Sequence, residues 1–187
     1  MKRHTLFYGS SYDRGLNHLL EMWKHVLEKF PDAELHIAYG WDLFVKGFKD
    51  NPERMEWKQR MEAAMKQKGI TDHGRIGKKE LKKLRQKCGI WAYPTDFTEI
   101  NCITALECQN DGLVPVVMNY AALKETVGSG IRIEGDIWDE GPKKEYLESL
   151  LSLMNDETRF NVESGKAKEW AKSYSWEKVA DEWLKHF

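Results

Sequence analysis

The 187 residues and 21.9 kDa correspond to one ordinary domain, or at most two very small ones. With 41% hydrophobic and 12% aromatic residues the chain can build a core, while 32% charged residues call for a densely solvated surface. Twenty-nine Lys and Arg against 30 Asp and Glu leave a net charge of -1, which argues against a nucleic-acid binder held by bulk electrostatics. No apolar run approaches the roughly 20 residues of a membrane helix, and the apolar stretch after Met1-Lys2-Arg3 is too short for a signal peptide. Cys88, Cys102 and Cys108 contain no C-x-x-C pair and close no disulfide framework, so the expected setting is reducing and cytoplasmic.

Short β-branched or aromatic runs alternate with longer stretches of helical period. His4–Gly9 reads as a first strand. Leu16, Leu19, Leu20, Trp23, Val26, Leu27 and Phe30 then lie on one continuous helix face, and Pro31 ends that helix. Glu34–Tyr39 reads as a second strand closed by Gly40. A looser region, Trp41–Pro52, precedes a helix over Glu53–Lys68 stopped by Gly69. Ile70–Ile76 is a weak third strand, Lys78–Lys87 a basic helix with a solvated charged face, and Ile90–Tyr93 a fourth strand ended by Pro94. Cys102–Gln109 reads as helix, Val114–Met118 as a fifth strand, Ala121–Val127 as a short helix and Ile131–Ile133 as a short sixth strand.

From Lys143 onward the pattern is helical. Tyr146, Leu147, Leu150, Leu151 and Met154 share one face. Trp176, Val179, Ala180, Trp183 and Phe187 share another on a final helix with Ser175 as N-cap. At core spacing, Trp23, Trp176 and Trp183 are expected to pack, and only Trp41 is kept open for stacking on a ligand. Strands alternating with helices imply βαβ units, and the predicted fold is α/β: one doubly wound, Rossmann-like domain with a mostly parallel six-stranded sheet and C-terminal helices.

In such a sheet, ligands bind beyond the carboxyl ends of the strands where strand order reverses. The turn after the first strand, Gly9-Ser10-Ser11-Tyr12-Asp13-Arg14-Gly15, offers glycines for close approach, a helix N-terminus and one guanidinium, all suited to a phosphate. It also fits an ordinary strand–helix turn with Asp13 as N-cap. After the fourth strand, Thr95 leads into Glu99 and then Glu107, which interrupts an otherwise small and apolar helix. A carboxylate there without a partner would suffer a desolvation penalty of several kcal/mol, and a pair of ligand hydroxyls would relieve it. On a helix, Glu99 and Glu107 would lie within ~80° of one face and ~12 Å apart, too far for work on one bond but suited to two ends of an extended ligand. The amides of Asn101, Cys102 and Ile103 between them would open the helix toward an anion. Equally, both glutamates fit plain solvated positions. The six histidines form no metal-ligand spacing, and no G-x-S-x-G supports hydrolase chemistry.

The ordered set Arg14-Gly15, the run ending at Gly40, Gly74-Arg75-Ile76, Pro94-Thr95, Glu99-x(7)-Glu107, Pro115-Val116 and Ala122–Val127 resembles the C-terminal, donor-binding half of glycosyltransferase family 4, of the GT-B fold. The resemblance implies a basic residue, Arg14, on the donor diphosphate. Glu107 would hold the ribose hydroxyls, and Glu99 would reach the donor sugar or its phosphate region. The amides of Ile100, Asn101, Cys102 and Ile103 would meet sugar and diphosphate, with Arg75 and Ile76 against the nucleobase. Gly9, Ser10, Ser11 and Thr95 complete the implied site. The implied reaction transfers a sugar from a UDP- or GDP-sugar to an acceptor hydroxyl of a glycan or other molecule, with retention. It uses no metal and no cofactor beyond the donor itself.

Two departures stand out. Many family members carry a second basic residue in the first loop, where this chain has Ser10, and glycines where it has Ile100-Asn101-Cys102. A GT-B enzyme also has a second, N-terminal acceptor domain that this chain lacks, so the expectation is either a piece cut from a longer polypeptide, with its N-terminal domain elsewhere, or a chain that works alone or with a partner chain. The alternative is a nucleotide-sugar-binding module without activity of its own. A flavodoxin-like regulatory domain is a more remote reading.

Overall fold

A computed structural model describes residues 2–186, so Phe187, assigned above to the last helical face, lies outside the described residues. Six strands form one wholly parallel sheet: β1 (Lys2–Tyr8), β2 (Glu34–Ile37), β3 (Ile70–Asp72), β4 (Cys88–Tyr93), β5 (Val114–Met118) and β6 (Ile131–Ile133). Their order is β3-β2-β1-β4-β5-β6. The doubly wound α/β expectation is borne out, and the reversal of strand order falls between β1 and β4. β4 and β5 are buried at every position, as strands covered by helices on both faces must be.

The first crossover helix, α1 (Leu16–Lys29), lays Leu16, Leu19, Leu20, Trp23 and Val26 into the core. The region expected to be loose contains a helix, α2 (Asp42–Phe48), followed by α3 (Pro52–Ala64) with Asn51 as N-cap. Here tertiary contacts override a weak local pattern. Trp41 packs edge-on against Tyr12, Phe44 and Trp57, while Arg54 lies over the rings of Phe44, Phe48 and Trp57. Trp41 is therefore part of an aromatic cluster rather than an open platform. β2 and β3 stop short of the expected Tyr39 and Ile76: Gly40 and Gly74 take left-handed φ of +87 and +59 that turn the backbone away from strand geometry, although the Tyr39 amide still donates to the Gly74 carbonyl.

Further helices are α4 (Lys78–Arg85), α5 (Ile103–Asn110), α6 (Leu123–Thr126), α7 (Glu140–Asn155), α8 (Glu157–Ala171) and α9 (Trp176–Leu184). Ser175 caps α9 as expected, accepting from the Lys178 amide at 3.4 Å. The expected packing of that helix does not hold. Trp176 is 84% and Trp183 66% exposed, whereas Trp23 is fully buried. Among the described residues no helix is long and apolar enough to cross a membrane.

Candidate functional site

The carboxyl ends of β1 and β4 diverge at the switch point, and a crevice of about 190 Å³ opens between them. Gly15 brings its two sides together. It adopts φ +99, and a Cβ there would lie 2.2 Å from the Pro94 carbonyl oxygen, so only glycine admits this approach of the first loop to the end of β4. Gly15, not Asp13, is the N-cap of α1. The Asp13 carboxylate instead accepts from Ser11 at 2.7 Å and from Arg54 at 2.9 Å, which turns it away from the helix start.

Across that junction Arg14 meets Glu99. The guanidinium Nη1 stands 3.3 and 3.5 Å from the two carboxylate oxygens, and its Cζ lies 3.8 Å from the centroid of the Phe97 ring. Glu99 is 9% exposed, a depth at which a lone carboxylate would be costly. The Tyr93 hydroxyl supplies a second partner, donating at 2.6 Å, and lies 3.2 Å from the Ser10 hydroxyl. Burial, and then the bond to Glu99, hold the Tyr93 phenol well above its ordinary pKa, which keeps it a donor.

Gly9, Ser10, Arg14, Glu99, Asn101, Cys102 and Ile103 all line this crevice, so the structure gathers the larger part of the expected set. The Thr104 hydroxyl ties α5 to loop one by donating to the Gly9 carbonyl at 3.3 Å. α5 begins at Ile103 with Cys102 as N-cap, and no side chain caps its first amides. Burial pushes the Cys102 thiol up to about 12, so it is no nucleophile at neutral pH.

The remaining residues sit elsewhere. Ser11 braces loop one from outside the crevice lining. Thr95 is buried and lines a separate 320 Å³ cavity with Asp96 and Asn119. Ile100 projects almost wholly into solvent. Arg75 is exposed and Ile76 packs against the core edge. Their loop reaches the crevice through Tyr39, whose amide donates to the Gly74 carbonyl at 3.0 Å.

Two expectations about the glutamates change. Glu99 lies in the loop before α5, so the helical-spacing argument linking it to Glu107 does not apply. Glu107 is not an unpartnered carboxylate in apolar surroundings. Its side chain is 47% exposed and accepts from Arg85 Nη1 at 2.9 Å. Helix periodicity missed this because the partner comes from another element.

Trp91 and Tyr93 were not singled out from sequence. They line the crevice, with rings stacked 5.2 Å apart. The available signal was two polar-tipped aromatics, two residues apart and hence on one face, at the end of an apolar strand. The Trp91 indole N–H is buried and has no partner among the described residues. Nor do the described residues hold any group of three or more His, Cys, Asp or Glu that could ligate a metal.

A family model described as "Glycosyl transferases group 1" matches residues 2–176, spanning both halves of the sheet and the crevice between them. The chain belongs to that glycosyltransferase family. No curated protein gives a significant match. Among solved structures, the chain is similar to the pneumococcal O-GlcNAc transferase GtfA in complex with UDP and GlcNAc, with a TM-score of 0.73 and 14% identity. It is also similar to sucrose-phosphate synthase from Thermosynechococcus elongatus, at 0.77 and 16%, and to TarM of S. aureus in complex with fondaparinux, alpha-GlcNAc-glycerol and UDP, at 0.69 and 15%. These alignments cover 99%, 97% and 99% of this chain but 35%, 44% and 36% of the respective partners. At such identities the likeness concerns the fold, that of one half of a GT-B glycosyltransferase. The chain thus spans less than half the length of each of these three solved structures.

Proposed function

We propose that this chain is the nucleotide-sugar-binding domain of a retaining glycosyltransferase of family 4. It takes a UDP- or GDP-sugar of hexosyl or deoxyhexosyl type and passes the sugar to an acceptor hydroxyl. The reading rests chiefly on the convergence of Arg14, buried Glu99 and the uncapped start of α5 on one crevice at the switch point. When the bond from the sugar to the diphosphate breaks, its electron pair goes to the diphosphate oxygen. A guanidinium and helix-start amides placed there stabilise that charge more in the transition state than in the ground state. In this reading the positive charge is the protein's own, so no divalent metal is assigned to the step. At 190 Å³ the crevice is smaller than the roughly 300–1,000 Å³ of sites that enclose a whole ligand. It suits the diphosphate and the adjoining sugar, with the nucleoside extending along α5 toward the Arg75-Ile76 loop.

The acceptor side is assigned to a separate N-terminal domain or partner chain. Support comes from the exposed apolar face of α9 and from the fraction of each similar structure that the chain spans. The same observations favour one alternative, a nucleotide-sugar-binding module that is inactive until that partner is supplied. Cytoplasmic placement goes with the three buried, unpaired cysteines.

Calorimetric titration with UDP and GDP tests the reading. One of the two should bind, and Arg14→Ala should weaken it by about 10- to 100-fold, the worth of a charged hydrogen-bond partner. Absence of binding by both nucleotides would remove the proposal. Sugar transfer or donor hydrolysis by the isolated chain would eliminate the inactive-module alternative.

A further inference from the structure

Arg85 is the one buried charged side chain in the basic stretch from Lys78 to Lys87; Lys78, Lys79, Lys82, Lys83 and Lys87 are all exposed. Burying a guanidinium is unfavourable unless its N–H groups are matched by acceptors. Here the match is with two carboxylates one turn apart on the neighbouring helix. Arg85 Nε donates to Asp111 Oδ2 at 2.7 Å, and Nη1 donates to Glu107 Oε2 at 2.9 Å. The three side chains differ sharply in access. Arg85 is 7% and Asp111 3% exposed, against 47% for Glu107. Asp111 therefore anchors the guanidinium out of reach of any ligand, and the guanidinium fixes a carboxylate that remains reachable.

The position of that carboxylate gives the arrangement a use. Ile103 lines the crevice, and Glu107 follows it by one turn on the same face of α5. Glu107 is outside the crevice lining itself, and the lean of helical side chains toward the N-terminus directs it to the end of α5 where the crevice lies. With Oε2 held by Arg85, the carboxylate can take a vicinal diol only in the orientation that this bond permits.

We infer that Arg85 is a positioning residue: anchored by Asp111, it orients Glu107 to accept the ribose hydroxyls of a nucleoside diphosphate. The inference rests on the nucleotide-sugar reading above and adds a residue to it. A lysine does not replace Arg85, because a single ammonium lacks the planar fork that reaches both carboxylates.

The test compares UDP and GDP with their 2′-deoxy counterparts and with inorganic pyrophosphate, by calorimetry on the full chain. The unaltered chain should prefer the ribose form. Glu107→Gln, Arg85→Lys, and Arg85→Met combined with Asp111→Asn should each weaken the ribose nucleotide by about tenfold. Each should also bring its affinity level with the 2′-deoxy form and leave pyrophosphate unchanged. A purely structural role would lower all three affinities together or none. The double variant removes the buried counter-charge along with the guanidinium, and circular dichroism checks its fold. If it does not fold, Arg85→Lys decides. Folded Arg85 variants that keep the ribose preference would overturn the inference while leaving the nucleotide-sugar reading intact. So would an unaltered chain that binds UDP or GDP without any ribose preference. An unaltered chain that binds neither nucleotide would bring down both.

Discussion

Helices α1 and α9 carry the same kind of sequence stripe, tryptophans and aliphatics at helical spacing, and meet opposite fates. In α1 the stripe is buried from Leu16 to Val26, with Leu27 and Phe30 partly buried against the core, and the Trp23 indole donates to the Lys68 carbonyl at 2.8 Å. In α9 the stripe of Trp176, Val179 and Trp183 faces outward. The difference lies in what comes next along the chain. α1 joins two adjacent strands, and a parallel crossover forces it back onto the sheet. α9 follows the last strand and two further helices, so no sheet face remains for it. Periodicity specifies that a helix has an apolar face, while topology specifies whether the chain itself covers that face.

Three measurements sharpen or break this contrast. The largest effect is expected at Trp23: Trp23→Ala should destabilise the fold by about 3–5 kcal/mol in urea unfolding, as for large aromatic deletions from a core. A loss below about 1 kcal/mol would mean that α1 is not held as its burial implies. An intermediate effect is expected at His18, one turn before Met22 on α1. This ring is fully buried, packs edge-on against Trp138, and has neither nitrogen partnered among the described residues.

Burial, and then the charge of Lys143, lower the His18 pKa below its ordinary value near 6.5. The unfolded chain therefore binds the proton more readily than the folded one. The stability that His18 contributes is complete above pH 6.5 and is lost as pH falls below it. His18→Phe should flatten the acid limb of a plot of unfolding free energy against pH in that range. An unchanged slope would show that the ring is not held neutral by the core. The smallest effect is expected on α9. Trp176→Ala should move stability by no more than about 0.5 kcal/mol, and a loss comparable to that of Trp23→Ala would abolish the distinction.

The site repeats this division. Arg14 was legible because a guanidinium beside a glycine at a strand–helix turn is a local pattern suited to a phosphate, and Glu99 because of its spacing to Glu107 in the Glu-x(7)-Glu resemblance. That they touch, 85 residues apart, depends on β4 lying beside β1. Glu107 was legible as a candidate and misread in its surroundings, because Arg85 reaches it from α4, a separate element 22 residues earlier in the chain. Tyr93 was hidden for a similar reason. As a strand residue it looked like core, and only the fold shows its hydroxyl lying between Glu99 and Ser10. The Trp41–Pro52 stretch carried no usable periodicity, since α2 is held by an aromatic cluster drawn from α3 and loop one rather than by a stripe of its own.

By itself the amino-acid order determined the alternation of strands and helices, the α/β class, the six strands and the glycine-bearing turn with Arg14 at the end of the first strand. These follow from short-range physics: side-chain period, proline and glycine stops, and apolar runs that must be buried. Tertiary structure alone decided which loops face one another, which carboxylate is buried and which is paired, and which tryptophan stripe is left exposed. Each of these depends on contacts between segments far apart in the chain, whose energies exist only after strand order has brought the segments together.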